Sequence, residues 1–226
     1  IDSQMTRTMD RPLPAGRLAP ASALWLGVAL AAISVITMSV LINGVAALLL
    51  IVTIAIYVFI YTIWLKRRTP QNIVIGGASG ALPPMIGWAA VSGDVSLNSA
   101  ILFLIIFIWT PPHFWALALF CSDDYENAGV PMLPVVVGTK NTKNQILAYS
   151  LLLAPITVLP AFTGMASPVA GLGLALLAIW FVVHAFRVRK DEGVGTARAM
   201  FRFSLMHLFG IFVILLLDRG ISALFQ

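Results

Sequence analysis

Three short polar strings stand out in an otherwise apolar chain, and each is of a kind that handles phosphate. The first is D-S-Q-M-T-R-T-M-D-R-P-L-P-A-G-R-L, from Asp2 to Leu18, which sets carboxylates among Arg7, Arg11 and Arg17. A guanidinium offers a planar donor fork to phosphate oxygens, whereas a carboxylate reaches the same phosphate only through a bridging divalent cation. Acid and base together fit a magnesium diphosphate site; a solvated basic loop is the plain alternative. The second runs from Tyr61 to Asn72, Y-T-I-W-L-K-R-R-T-P-Q-N. Its consecutive cations Lys66, Arg67 and Arg68 can neutralise a leaving diphosphate, with the Tyr61 hydroxyl as a donor one to two turns deeper. A cluster that merely stops translocation would read the same. The third, Cys121 to Pro134, holds Asp123, Asp124 and Glu126, oxygen ligands of the type that Mg²⁺ shares with substrate phosphates. A solvated acidic loop is its alternative. No nucleotide-binding, serine-hydrolase or zinc-protease signature is present.

The chain has three histidines. His113 lies within an apolar stretch, in W-T-P-P-H-F-W, after Pro111-Pro112 and between Trp109 and Trp115. An imidazole at membrane depth is a functional candidate, and flanking aromatics can wall a flat ligand. A histidine bonded to a neighbouring helix would also explain it. His184 and His207 stand near helix ends, where interfacial polarity accounts for them.

These strings must be carried by membrane helices. Of 226 residues, 60% are hydrophobic and 10% charged, at a mean hydropathy of +0.96; a soluble domain carries about 25% charged residues. The pI of about 9.8 does not mark a nucleic-acid binder, because the cations fall in short segments between apolar runs. One cysteine, Cys121, excludes an internal disulfide. A spanning helix needs roughly 20 apolar residues, and seven stretches are expected to span: 20–41, 45–65, 73–92, 97–120, 145–163, 168–186 and 203–218. Alternating the connections between two sides places every Lys and Arg except Arg219 on the side of residues 1–19. That asymmetry makes this side cytoplasmic by the positive-inside rule. Pro83-Pro84 and Pro111-Pro112 are expected to kink or break their helices, and Gly76 to Gly80 with Gly171 to Ala175 to permit close helix approach.

The ordered strings R-T-M-D-R-P-L-P-A-G-R-L, L-K-R-R-T-P-Q-N-I-V-I-G-G-A-S-G-A-L-P-P-M-I-G-W, W-T-P-P-H-F-W-A-L-A-L and D-Y-E-N-A-G-V-P-M-L-P-V-V-V-G resemble the UbiA superfamily of intramembrane prenyltransferases, and within it the branch that farnesylates protohaem IX. The resemblance implies an all-α transmembrane bundle of about nine helices. Residues 1–226 then form one domain, lacking the first two helices, with motif loops at 1–19 and 121–144. Of the family's first acidic motif, NxxxDxxxD, only the last position is present, as Asp2. The second, DxxxD, would fall on Cys121 and Tyr125, a departure shared with the haem branch, whose D-Y pair corresponds to Asp124-Tyr125.

The implied reaction transfers farnesyl from farnesyl diphosphate to a vinyl group of haem B, with addition of water. Its implied catalytic set is Asp2, Arg7, Arg11, Tyr61, Lys66, Arg67 and Asp124. Mg²⁺ is assigned to Asp2, Asp123 and Asp124, and the haem to His113, Trp109, Trp115 and Asn72. The implied setting is a bacterial inner membrane, with the motif loops cytoplasmic, the lipid bilayer around the helices, no nucleic acid, and haem A synthase or oxidase assembly factors as partners. A transferase for a quinone precursor or chlorophyll-type ring is the second reading, and a non-catalytic haem-handling scaffold the third. Charge gathered at one mouth favours an enzyme over a carrier, which needs polar groups near midplane.

Overall fold

The computed structural model describes residues 2–5 and 8–224. Among these, seven helices are long and apolar enough to cross a membrane, and the protein is a multi-pass integral membrane protein. They are α1 (Pro20–Ile42), α2 (Gly44–Leu65), α3 (Asn72–Ser92), α4 (Leu97–Phe120), α6 (Leu133–Phe162), α7 (Pro168–Lys190) and α8 (Gly195–Leu224). A short α5 (Ser122–Asn127) joins α4 to α6. Helices are the expected solution, since a bilayer offers no partner to an unpaired backbone group. The hydroxyls obey the same constraint: Ser34, Thr53, Thr110, Thr142, Ser150 and Thr157 each donate to the carbonyl four residues back.

The core lies around α4, which packs against α3, α6 and α8, while α7 closes against α6 and α8. Ile105, Trp115, Ile146, Leu174, Phe181, Met200 and Ile211 are fully enclosed there. Apolar side chains of α1 and α2 such as Leu24, Trp25, Leu48 and Phe59 are exposed, an arrangement that carries no hydrophobic cost in lipid. Small residues act as expected. A Cβ on Gly171 would stand 2.7 Å from that of Ala161, so α6 and α7 touch nearly backbone to backbone.

Three expectations are corrected. The fifth span begins at Leu133 and not at 145, with Gly138 (φ 79°, ψ 163°) as a bend inside it; most of 121–144 is therefore helical. Its run Thr139 to Asn144 is polar enough to hide a helix from hydropathy, yet Thr142 bonds back to the Gly138 carbonyl at 2.9 Å. The last helix likewise extends beyond 203–218 at both ends. Pro111-Pro112 do not break α4, which stays helical throughout with Ile108 to His113 all buried, because packing on several sides holds a backbone that has lost two donors. Pro83-Pro84 do interrupt α3, dividing it at Leu82.

Asn43 ties the far end of the bundle. Its Oδ1 caps α2 by accepting from the Ala46 N–H at 2.9 Å, and its Nδ2 donates to the Ala89 carbonyl at 2.8 Å. Replacing it by alanine removes a cap and an interhelical bond together, for a loss of about 1–2 kcal/mol. The Asn43→Ala protein should unfold at lower temperature in detergent, and an unchanged midpoint would contradict this account.

Candidate active site

Residues from four separate segments meet at the end of the bundle that carries the 2–19 loop. A polar cavity of about 240 Å³ is lined there by Asp2, Thr8, Arg11, Tyr57, Tyr61, Lys66, Asn72 and Tyr125, among others. The loop is folded onto the helices by local bonds. Thr8 is buried and donates from Oγ1 to the Asp2 carbonyl at 2.8 Å, and Met5 beside it is buried against Ile73 and Val130. Asp2 and Arg11 form an ion pair at 3.3 Å with both side chains partly exposed. Such a pair contributes little to stability, so Arg11 can turn to an incoming anion at small cost.

Beneath the mouth lies a second, mostly apolar cavity of about 450 Å³. Gly76, Gly77, Ser79, Ile106, Trp109 and Thr110 line it, and Tyr57, Tyr61, Ile73 and Phe114 line both cavities. This volume falls within the usual range for small-molecule sites. The two tyrosines are positioned by an unusual backbone. Residues Ile56–Leu65 of α2 are wound as π-helix, visible in the Lys66 N–H bonding to the Tyr61 carbonyl at 2.8 Å. Their rings meet at 5.7 Å between centroids. π-helical turns are rare and concentrate at functional sites.

Glycine sets how near the walls come. A Cβ on Gly76 would stand 2.8 Å from Cγ of Tyr61 and nearer still to Cδ2, and one on Gly77 would lie 2.9 Å from Thr110 Cγ2. Only hydrogen at these positions lets α3 lie against Tyr61 on one side and α4 on the other.

The expected residues do not all converge. Asp2, Arg11, Tyr61, Lys66 and Asn72 line the mouth, Asn72 with its Nδ2 donating to the Thr69 carbonyl at 2.7 Å. Arg67 is exposed on the following turn and lines neither cavity. Arg7 lies outside the described residues. Asp123 is exposed on α5 and accepts from the Ser122 hydroxyl at 3.2 Å; Asp124 belongs to the same short helix but not to the lining of the mouth. Among the described residues no three Asp, Glu, His or Cys side chains stand together to hold a metal ion. The expected joint site of Asp2, Asp123 and Asp124 is thus corrected: the acids sit on separate elements, and Asp2 is the mouth's carboxylate.

The aromatic string divides in the same way. Trp109 lines the chamber, whereas Trp115 is 0% exposed with its ring edge-on to Tyr149. His113 is 6% exposed, stacked between Trp109 and Phe201 at 4.3 and 4.7 Å. Its Nδ1 lies 2.6 Å from Ser204 Oγ, and Trp109 Nε1 donates to the Ser204 carbonyl at 3.0 Å. His113 therefore joins α4 to α8 behind Trp109 and does not line the chamber. Sequence reasoning missed Tyr57, Phe114 and Thr110 as wall residues; the one signal for Tyr57 is its spacing of four from Tyr61.

With this geometry in view, the comparisons with known proteins are decisive. The sequence profile of the UbiA prenyltransferase family matches residues 1–206. The chain belongs to that family. It is 54% identical over 226 residues to protoheme IX farnesyltransferase 2 of Mesorhizobium japonicum, covering 98% of this chain and 72% of that one. It is 53% identical to the protoheme IX farnesyltransferase of Agrobacterium fabrum, covering 99% and 72%, and 54% identical to that of Parvibaculum lavamentivorans, covering 97% and 70%. A solved structure of a digeranylgeranylglyceryl phosphate synthase in membranes superposes with a TM-score of 0.79 over 94% of this chain and 75% of that one, at 19% identity. That likeness bears on the fold alone. As a UbiA prenyltransferase the chain is an enzyme, and the polar mouth above an apolar chamber is its candidate active site.

Enlarging Gly76 tests this assignment without touching a charge. Gly76→Ala should push the Tyr61 ring out of place and lower prenyl transfer at least tenfold, while circular dichroism stays that of the parent. Full activity in the variant would remove Tyr61 from the site.

Proposed function

We propose that this chain transfers the farnesyl group of farnesyl diphosphate to a vinyl group of protohaem IX, giving haem O, at the junction of the two cavities. The observation that carries the reading is the placement of Lys66, Arg11 and Asp2 directly above a tyrosine-walled apolar chamber. A substrate with a diphosphate head and a hydrocarbon tail requires that division. The acceptor follows from the relatives' names and from the strings shared with the haem branch; the burial of His113 withdraws that residue from the argument for haem.

Lys66 and Arg11 bind the diphosphate and stabilise the charge that grows on it as the C1–O bond breaks and its electron pair leaves with the phosphate. Tyr61 and Tyr57, at the border between mouth and chamber, present ring faces to the allylic cation left behind. The apolar lining below keeps water from quenching that cation early. The π electrons of the vinyl group then form the new C–C bond, and water adds to the other vinyl carbon and loses a proton. Mg²⁺ enters as a counter-ion of the diphosphate: a magnesium ion that keeps most of its waters takes one or two carboxylates besides substrate phosphates, and Asp2 fits that need. His113, through Ser204, holds Trp109 on the chamber wall. The mouth faces the cytoplasm of a bacterial inner membrane, on the evidence of the Lys and Arg distribution. Haem A synthase and oxidase assembly factors are the partners that this product implies.

Charge-assisted hydrogen bonds contribute roughly 1.5–3 kcal/mol. Lys66→Ala and Arg11→Ala should each weaken farnesyl diphosphate binding about ten- to hundredfold, with haem binding followed by the Soret band nearly unchanged. Equal weakening of both ligands, or of neither, would sink the assignment.

A further inference from the structure

A second charged cavity lies on the same side of the membrane as the mouth, since α6 begins and α7 ends where α2 and α4 end. It encloses about 530 Å³ between those two helix ends and is lined by Lys140, Lys143, Asn144, Arg189 and Lys190, with Asp191 and Glu192 at its margin. It shares no lining residue with the mouth or the chamber, and the proposed reaction leaves it without a task.

Flexible surface cations near a membrane are ordinary, but this cleft is built. Lys143 is 8% exposed, and its ammonium donates to the Asp191 carbonyl at 2.5 Å, across 48 residues of chain. Arg189 is held by its Nε donating to Asn144 Oδ1 at 2.9 Å, which leaves the two Nη groups of its fork for a ligand. The acids are turned to local work. Asp191 accepts from the Gly193 N–H at 3.0 Å and from the Thr196 hydroxyl at 2.9 Å; these bonds hold its carboxyl below the usual carboxylate range, so it is ionised and occupied by its own loop. Lys140 and Lys190 remain exposed at the rim.

The cleft also borders apolar surface. The Lys190 ammonium sits 5.5 Å from the centroid of the Phe186 ring, and Phe186 and Val183, one and two turns deeper on α7, are exposed. Cations at the interface directly above an exposed apolar helix face match a molecule with a phosphate head and acyl chains.

We infer that the cleft formed by Lys140, Lys143, Arg189 and Lys190 binds the phosphate of an anionic phospholipid, whose acyl chains lie along α7 past Phe186. The inference does not rest on the proposed reaction. It predicts one retained anionic lipid per chain, with an affinity that falls as salt rises.

Native mass spectrometry of the full chain in detergent, with phosphatidylglycerol or phosphatidylcholine added, tests this against the Lys140→Ala/Lys190→Ala variant. Both replaced side chains are exposed, and a parent-like circular dichroism melt verifies the fold. The parent should keep one phosphatidylglycerol, and the variant should bind it about ten- to thirtyfold more weakly. Equal retention by parent and variant, or equal retention of phosphatidylcholine, overturns the site. Displacement of the lipid by millimolar inorganic phosphate overturns the lipid assignment in favour of a soluble phosphate compound, and persistence of the lipid upholds it.

Discussion

Ser204 is the polar fixed point of the bundle. Its carbonyl receives the Trp109 indole and its hydroxyl meets His113, so α4 and α8 are locked in depth and rotation at one place. Most other hydroxyls in the spans are spent on their own helix backbones. Van der Waals packing alone sets helix register loosely; a bonded contact in low dielectric sets it sharply. Because Trp109 is both a partner of Ser204 and a wall of the chamber, the shape of the site depends on this contact.

The site is otherwise a matter of how near helices come. Gly76 and Gly77 let α3 press Tyr61 from one side and Thr110 from the other, so three helices meet around the chamber with no side chain filling the gap. The mouth above it is held more lightly, by one buried threonine, one buried methionine and an exposed ion pair. A rigid chamber under an adaptable polar rim suits a substrate whose tail must be excluded from water while its head is captured from it.

Much of the architecture could be read from residue types. Seven spans follow from length and apolarity, and the close helix approach follows from glycine runs that have no other use in a span. What could not be read was helix that polar residues disguise: Thr139 to Asn144 lowers hydropathy at the head of α6 although Lys143 and Asn144 have partners waiting on α7 and beyond. The aromatic string was read as one wall, yet Trp109 and Trp115 are six residues apart. At about 100° per residue they point roughly 120° away from each other, and only tertiary packing decides which meets a cavity. The convergence of acids was equally hidden, because closeness in sequence within Asp123-Asp124 says nothing of distance from Asp2.

The π-wound stretch of α2 bears on how this sequence tolerates change in length. A π-helical turn accommodates more residues than an α-helical one over the same rise, so Ile56–Leu65 holds its surplus as stored register. Loss of a single residue there would let the segment relax to α-helix with the membrane span nearly preserved. Everything after it would then turn by about 100°, carrying Lys66 away from the mouth while leaving hydropathy, charge and span count untouched. Between Ile56 and Leu65, phase counts for more than composition.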